Sequence, residues 1–264
     1  ENLLPNAGVL YGFHYFQEID ALTRRPYNDF LDFANLLSPE KRIKLFRALN
    51  IRYIVAFQPL AIPGIRLLHR FPEHFSWLYE IDHPLPRAYI VPRMVYEAQP
   101  ARTLRLLSSD EFDPSQQVIL DERVALETDQ TPSGEANIVR YSNSDVLIDA
   151  SLAGPGFLVL TDSHYPGWKV FVDGSERKLL RANYFFRAVS LPAGNHSVNF
   201  IYDPVSFKIG AAVSTLSAGL LMMIPFIVYV RQKRRLQKSA IAVSTQTVRR
   251  AQVTEDKTRR IAHS

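Results

Sequence analysis

Asp162, His164, Tyr165 and Trp168 fall within seven residues, in the run Thr161-Asp-Ser-His-Tyr-Pro-Gly-Trp168. A carboxylate, an imidazole, a phenol and an indole this close can hold a sugar ring. The aromatic faces would stack on it, while the acid and the imidazole hydrogen-bond its hydroxyls. The same residues also suit a structural corner, with Trp168 packed as a core anchor, Pro166-Gly167 turning the chain and Asp162 bonding backbone amides. The corner is the preferred reading, because a tryptophan at a strand start commonly anchors a core. Further on, Arg181, Asn183, Tyr184 and Arg187 form a second polar-aromatic patch, read either as a binding edge or as a solvated strand face. No catalytic residue is expected. Ser163-His164 lacks the G-x-S-x-G turn that exposes a serine nucleophile. The adjacent acids Asp110/Glu111 and Asp121/Glu122 read as solvated surface. Seven scattered histidines show neither H-x-x-x-H nor H-E-x-x-H spacing, and cysteine is absent, so no metal site or disulfide is expected.

The charge distribution excludes a nucleic-acid partner. The chain carries +5 overall, but Arg231 to Ser264 holds ten Lys/Arg against two Asp/Glu, leaving residues 1–230 at −3. A basic tail beside an apolar run points to a lipid bilayer instead. Ile209 to Val230 has no charged residue over 22 positions, about 33 Å of helix, enough to span the hydrocarbon core. Arg231, Lys233, Arg234, Arg235 and Lys238 follow it and predict a cytoplasmic tail and an extracytoplasmic body. Gly210, Ser214 and Ala218, with Ala211, Thr215 and Gly219, place small residues every four positions, a spacing that lets helices approach closely. Upstream membrane helices of the same protein are the expected partners, since residues 1–208 hold no second span; a removed signal peptide is the other route.

The elements that must position the two patches follow from periodicity. The reading is α+β: a small α/β unit over 1–60, an irregular β-rich connection over 61–134, an antiparallel β-sandwich over 135–204, a transmembrane helix over 209–230 and a basic tail over 231–264. Residues 2–16 are rich in turn formers. Tyr27 to Leu37 has helical spacing; Ser38-Pro39-Glu40 starts another helix with Ile43, Phe46 and Leu49 buried; Asn50 closes it; and Ile51–Phe57 is a strand. Between 60 and 125, strands are expected at 77–82, 87–97 (broken at Pro92) and 118–122, with a short helix at 100–107. The sandwich strands are expected at 137–141, 146–150, 157–161, 168–172, 178–181, 185–191 and 197–202, with Asp173-Gly174 as a hairpin turn.

The run Thr161 to Gly174, then Arg181-Ala-Asn-Tyr184, Phe186-Arg-Ala-Val189, Leu191-Pro-Ala-Gly-Asn-His196 and Tyr202-Asp-Pro204, resembles the C-terminal part of the bacterial YfhO-like membrane protein family. Tyr11-Gly-Phe13, Asp20-Ala-Leu22, Arg25-Pro-Tyr27 and Leu85-Pro-Arg-Ala-Tyr-Ile90 are similar as well. The resemblance implies the last extracytoplasmic domain of a long multi-pass protein, akin to membrane glycosyltransferases that use polyprenyl-phosphate sugars. It implies an envelope polymer or lipid as acceptor. The catalytic acid of such enzymes lies in an early outer loop that is not present here, so the resemblance transfers no catalytic residue and no cofactor to this stretch. The other reading is a non-catalytic, single-span envelope module that binds glycans or protein partners.

Overall fold

A computed structural model of the chain describes residues 25–125, 134–231 and 233. The turn-rich stretch 2–16, the early YfhO-like residues before 25 and the tail from 234 lie outside them. Residues up to Asp203 and those from Pro204 form two separate compact units.

Among the described residues, the first unit opens with α1 (Arg25–Leu36) and α2 (Pro39–Ala48). Ser38 caps α2, its hydroxyl accepting from the Lys41 amide, with Pro39 and Glu40 in the first turn. The Arg42 guanidinium donates to the carbonyls of Ala34, Asn35 and Leu37, satisfying acceptors that the end of α1 leaves open. Asn50 follows α2 in the left-handed region, φ 58°, as a helix-closing asparagine should. Ile43 and Leu49 are buried as expected and Phe46 partly so, with Leu45 and Ala48 added to the stripe.

Three strands then make a small antiparallel sheet in the order β1-β3-β2, from β1 (Tyr53–Ala56), β2 (Ile65–Phe71) and β3 (Ser76–Ile81). Sequence reasoning missed β2, because Leu67-Leu68-His69 breaks alternation; the structure shows a bulge there.

The main body has two further sheets. One runs β4-β9-β13-β12-β6-β5, from β4 (Ala88–Val91), β5 (Arg93–Tyr96), β6 (Gln117–Leu120), β9 (Gly156–Ser163), β12 (Leu180–Ala182) and β13 (Phe186–Leu191). Its two edge strands, β4 and β5, are consecutive in the chain with only Pro92 between them. The expected break at Pro92 is therefore the bend where one strand leaves one edge of the sheet and joins the other. Proline has no amide to donate at such a bend. This sheet is mixed, not wholly antiparallel: β5 and β6 run parallel, joined through α3 (Pro100–Leu107). The sandwich thus draws strands from upstream of residue 135. The other sheet runs β11-β10-β14-β8-β7, from β7 (Gly134–Tyr141), β8 (Asp145–Leu152), β10 (Trp168–Val172), β11 (Ser175–Arg177) and β14 (Gly194–Tyr202).

Alternation sorts the core into two layers. Phe157 and Val159 of β9, with Phe186 and Ala188 of β13, pack on Phe30, Leu45, Leu104 and Leu107 of the helices. Leu158 and Leu160, with Val189 and Leu191, pack the opposite face on Val146, Ile148, Val170, Val198 and Phe200 of the second sheet. The expected hairpin closes with Asp173 at φ 50° and Gly174 at φ 79°, the two positive angles of a type I′ turn.

The second unit is α4 (Val205–Arg231), 27 residues with a mean hydropathy of 2.0 in its most apolar window. It is the one helix among the described residues long and apolar enough to cross a membrane. Helix runs through Pro225. Thr215 and Ser217 return their hydroxyls to the carbonyls of Ala211 and Val213, satisfying those two groups within the helix.

Candidate functional site

The chain after β9 is shaped by three local devices. Register between β9 and β13 jumps, with Arg187 opposite Leu160 but Phe186 opposite Ser163. Thr161 and Asp162 are therefore extra residues, a bulge that turns Asp162 inward. Next comes a reverse turn closed by the Trp168 amide on the Tyr165 carbonyl, 3.1 Å, with Pro166 second and Gly167 third at φ 104°. Proline then glycine with positive φ is the type II arrangement. The third device is the β12–β13 turn, where Asn183 (φ 45°) and Tyr184 (φ 81°) are both left-handed. The His164 amide donates to the Phe185 carbonyl at 2.6 Å and stitches the two turns together.

Asp162 lies in an ion cluster between the sheets. Arg87 Nη2 approaches its Oδ1 at 2.8 Å, and Arg187 Nη2 its Oδ2 at 3.2 Å. The Tyr141 hydroxyl also donates to Oδ2 at 3.2 Å. The Arg187 side chain is only 5% exposed; its guanidinium lies 3.7 Å above the Trp168 ring and donates through Nε to the Ser163 carbonyl. Burial pulls the Arg187 pKa down to about 10, with Asp162 opposing, so it stays charged at neutral pH. Burial, then the charge of Asp162, pushes the Tyr141 phenol up. Trp168 is half-buried, stacked between Arg187 and Tyr202. The corner reading expected a buried Trp168 and backbone amides on Asp162; Trp168 is instead half-buried and Asp162 meets two arginines.

Asn183 is buried too. Its amide donates to the Ile119 carbonyl at 2.8 Å, its Oδ1 accepts from the Ile119 amide at 2.9 Å, and its Nδ2 donates to the Tyr89 hydroxyl. These bonds extend the β12–β6 pairing past Ala182, and asparagine tolerates the left-handed angle that the turn demands. Burial raises the Tyr89 phenol pKa far above its usual range.

The remaining four sequence candidates converge. His164, Tyr165, Arg181 and Tyr184 line one open groove of about 560 Å³, with Asp121 and Glu122 on its wall. A smaller cleft of about 170 Å³ shares Asp121, Arg181 and Tyr184 and adds Asp29 and Glu97. Arg181 Nη2 pairs with Asp121 at 2.6 Å, and Lys178 pairs with Glu122. Burial and then Asp29 raise the Tyr184 phenol. Sequence reasoning set Asp121 and Glu122 aside as solvated acids; Asp121 meets Arg181 across 60 positions, a separation that leaves no local pattern to read. Arg87 and Tyr141 escaped notice for the same reason. Among the described residues no group of three or more His, Asp or Glu could hold a metal ion.

Residues 121–214 match the family described as bacterial membrane protein YfhO. That stretch is YfhO-like. It is 23% identical over 105 residues to an uncharacterised YfhO protein of Bacillus subtilis strain 168, an alignment covering 40% of this chain and 12% of that protein. The chain thus spans about an eighth of the length of the curated relative it matches. No solved structure matches. The YfhO match takes in the whole ion cluster except Arg87, and every groove residue named above. It also runs into the first turns of α4, the helix long and apolar enough to cross a membrane.

Proposed function

We propose that this chain is the C-terminal extracytoplasmic domain and last membrane helix of a multi-pass YfhO-like glycosyltransferase that modifies cell-envelope polymers or lipids. Its groove positions the acceptor. The sugar would come from a polyprenyl-phosphate donor handled by upstream membrane helices, and this part carries no catalytic residue. The groove is the observation behind the reading: two tyrosines and a histidine beside an Arg181–Asp121 pair and Glu122 combine apolar faces with directional polar groups, as sugar-sized ligands require. The orientation rests on the basic run Arg231 to Lys238. Cysteines at Ser175 and Ser239, probed with an impermeant thiol reagent in intact cells, test it; labelling at Ser239 but not Ser175 reverses the topology.

The test of acceptor binding is saturation-transfer NMR on the full chain in nanodiscs with methyl glycosides of hexoses and N-acetylhexosamines. Transfer that disappears in Tyr165→Ala and in Tyr184→Ala supports the groove. Transfer unchanged in both variants removes it. A single-span module that binds glycans would also carry one helix able to cross a membrane, as the described residues do. The size of the native polypeptide separates the two, since only the enzyme reading requires a chain far larger than 30.1 kDa.

A further inference from the structure

Among the described residues, the three-stranded sheet has one open face. Register places Val55, Leu78 and His69 in one cross-strand row and Tyr53, Glu80 and Arg66 in the next, with Phe71 opposite Ser76. The other face turns Tyr79 and Ile81 into the protein, where both are buried. On the open side Tyr53, Val55 and Phe71 are exposed; Phe57, just after β1, is 80% exposed and Phe75, just before β3, 78%. Phe75 closes the turn before β3 with a left-handed backbone, φ 46°. Arg52 and Arg66 are exposed beside these residues and share Glu80, while Arg70 lies over Trp77 at the sheet's margin.

An apolar face of this kind normally marks an interface. Two features of the chain identify the occupant. Six residues, 82–87, join β3 to β4, and Arg87 at their end bonds Asp162 beside Trp168. Trp168 pairs in register with Tyr202, and only Asp203 and Pro204 separate Tyr202 from the spanning helix. The sheet is therefore attached at the end of the sandwich where the chain continues into α4. A surface tethered so closely to a bilayer meets it at high effective concentration. The composition also fits: aromatic rings settle at the headgroup level while arginines reach anionic phosphates.

We propose that the open face of β1-β3-β2 docks on the lipid headgroup region, with Tyr53, Phe57, Phe71 and Phe75 inserted. The proposal is independent of the glycosyltransferase reading, since it needs only that α4 spans a bilayer. The chain has no cysteine, so single cysteines at Phe57, Phe75 and Ser175 can carry a bimane label in the full protein. Ser175 is exposed on the hairpin at the far end of β10 from Tyr202. The proteins are reconstituted in phosphatidylcholine–phosphatidylglycerol vesicles with and without nitroxide-bearing lipid. Quenching at 57 and 75 but not at 175, weakened when phosphatidylglycerol is omitted, is the expected result. It should also be lost at 75 when Phe57 is replaced by Glu, an exposed change that leaves folding intact. Labels at 57 and 75 quenched only by aqueous iodide, like Ser175, would overturn the proposal. Labels shielded from both quenchers would overturn it too, because a second copy or another protein segment would then cover the face.

Discussion

Replacing Asp162 by Asn tests whether its buried carboxylate holds the sandwich or serves a ligand. The substitution keeps shape and removes charge. Arg187 is then left positive, its side chain 5% exposed, over Trp168 and near Phe200. Arg87 cannot take over from Asp162, because it carries the same sign. Breaking a buried ion pair on one side costs about 3–5 kcal/mol, chiefly through the charge left unpaired. For a body of this size that is a fall in Tm on the order of 10 °C. The assay is thermal unfolding of the full chain in nanodiscs in a Trp77→Phe background, which leaves Trp168 as the one indole reporting on the cluster. Replacing both members, Asp162→Leu with Arg187→Met, should recover most of the loss, since an apolar pair of similar volume is often as stable as a buried salt bridge. Arg87 need not be changed, because its side chain is 26% exposed and can turn to water. An unchanged Tm in Asp162→Asn would refute the structural assignment and return the carboxylate to the ligand.

Asn183→Ala removes the acceptor for the Ile119 amide and the tolerance for φ 45° together, and should cost about 2–3 kcal/mol in denaturant unfolding. Gly174→Ala meets no neighbour but has to adopt φ +79°, so a loss of about 1 kcal/mol is expected from backbone strain alone. Glu80 accepts from Arg66 and Arg52, in that order of effect, which holds its carboxyl below the ordinary 4.5. The unfolded chain then binds more protons just below that value, so stability rises with pH up to about 4.5 and falls as pH drops through the folded pKa. Trp77 fluorescence should show this acid limb flattened in Glu80→Gln.

Much of the fold was legible because it follows from local rules. The cap Ser38-Pro39-Glu40, the closing Asn50, the Asp173-Gly174 turn and the alternating burial of Val198 and Phe200 each depend on residues within a few positions. What escaped was set by distant partners. Nothing near Pro92 says that β4 and β5 take opposite edges of one sheet; that depends on β9 and β6 being their neighbours. A parallel β5–β6 pair needs a crossover, and α3 was recognised as a helix without its being evident which strands it joins. β2 was lost to its bulge and to an exposed face that is apolar where alternation expects polar residues.

The candidate site divides along the same line, and Tyr184 shows why. Sequence proximity grouped it with Arg181 and Asn183, yet Asn183 turns inward to Ile119 while Tyr184 faces the groove. A left-handed turn makes that reversal, and a tyrosine at φ 81° costs about 1–3 kcal/mol that glycine would avoid. If the turn served folding alone, glycine would do better there. Tyr184→Gly should therefore raise the unfolding midpoint while abolishing saturation transfer from methyl glycosides. A variant that is more stable and still binds would show that the phenol ring has no part in recognition. One that is less stable would show that its contact with Phe185 (5.8 Å between ring centroids) outweighs the backbone strain. The first result leaves binding to His164 and Tyr165, and the second makes Tyr184 a packing residue of the turn.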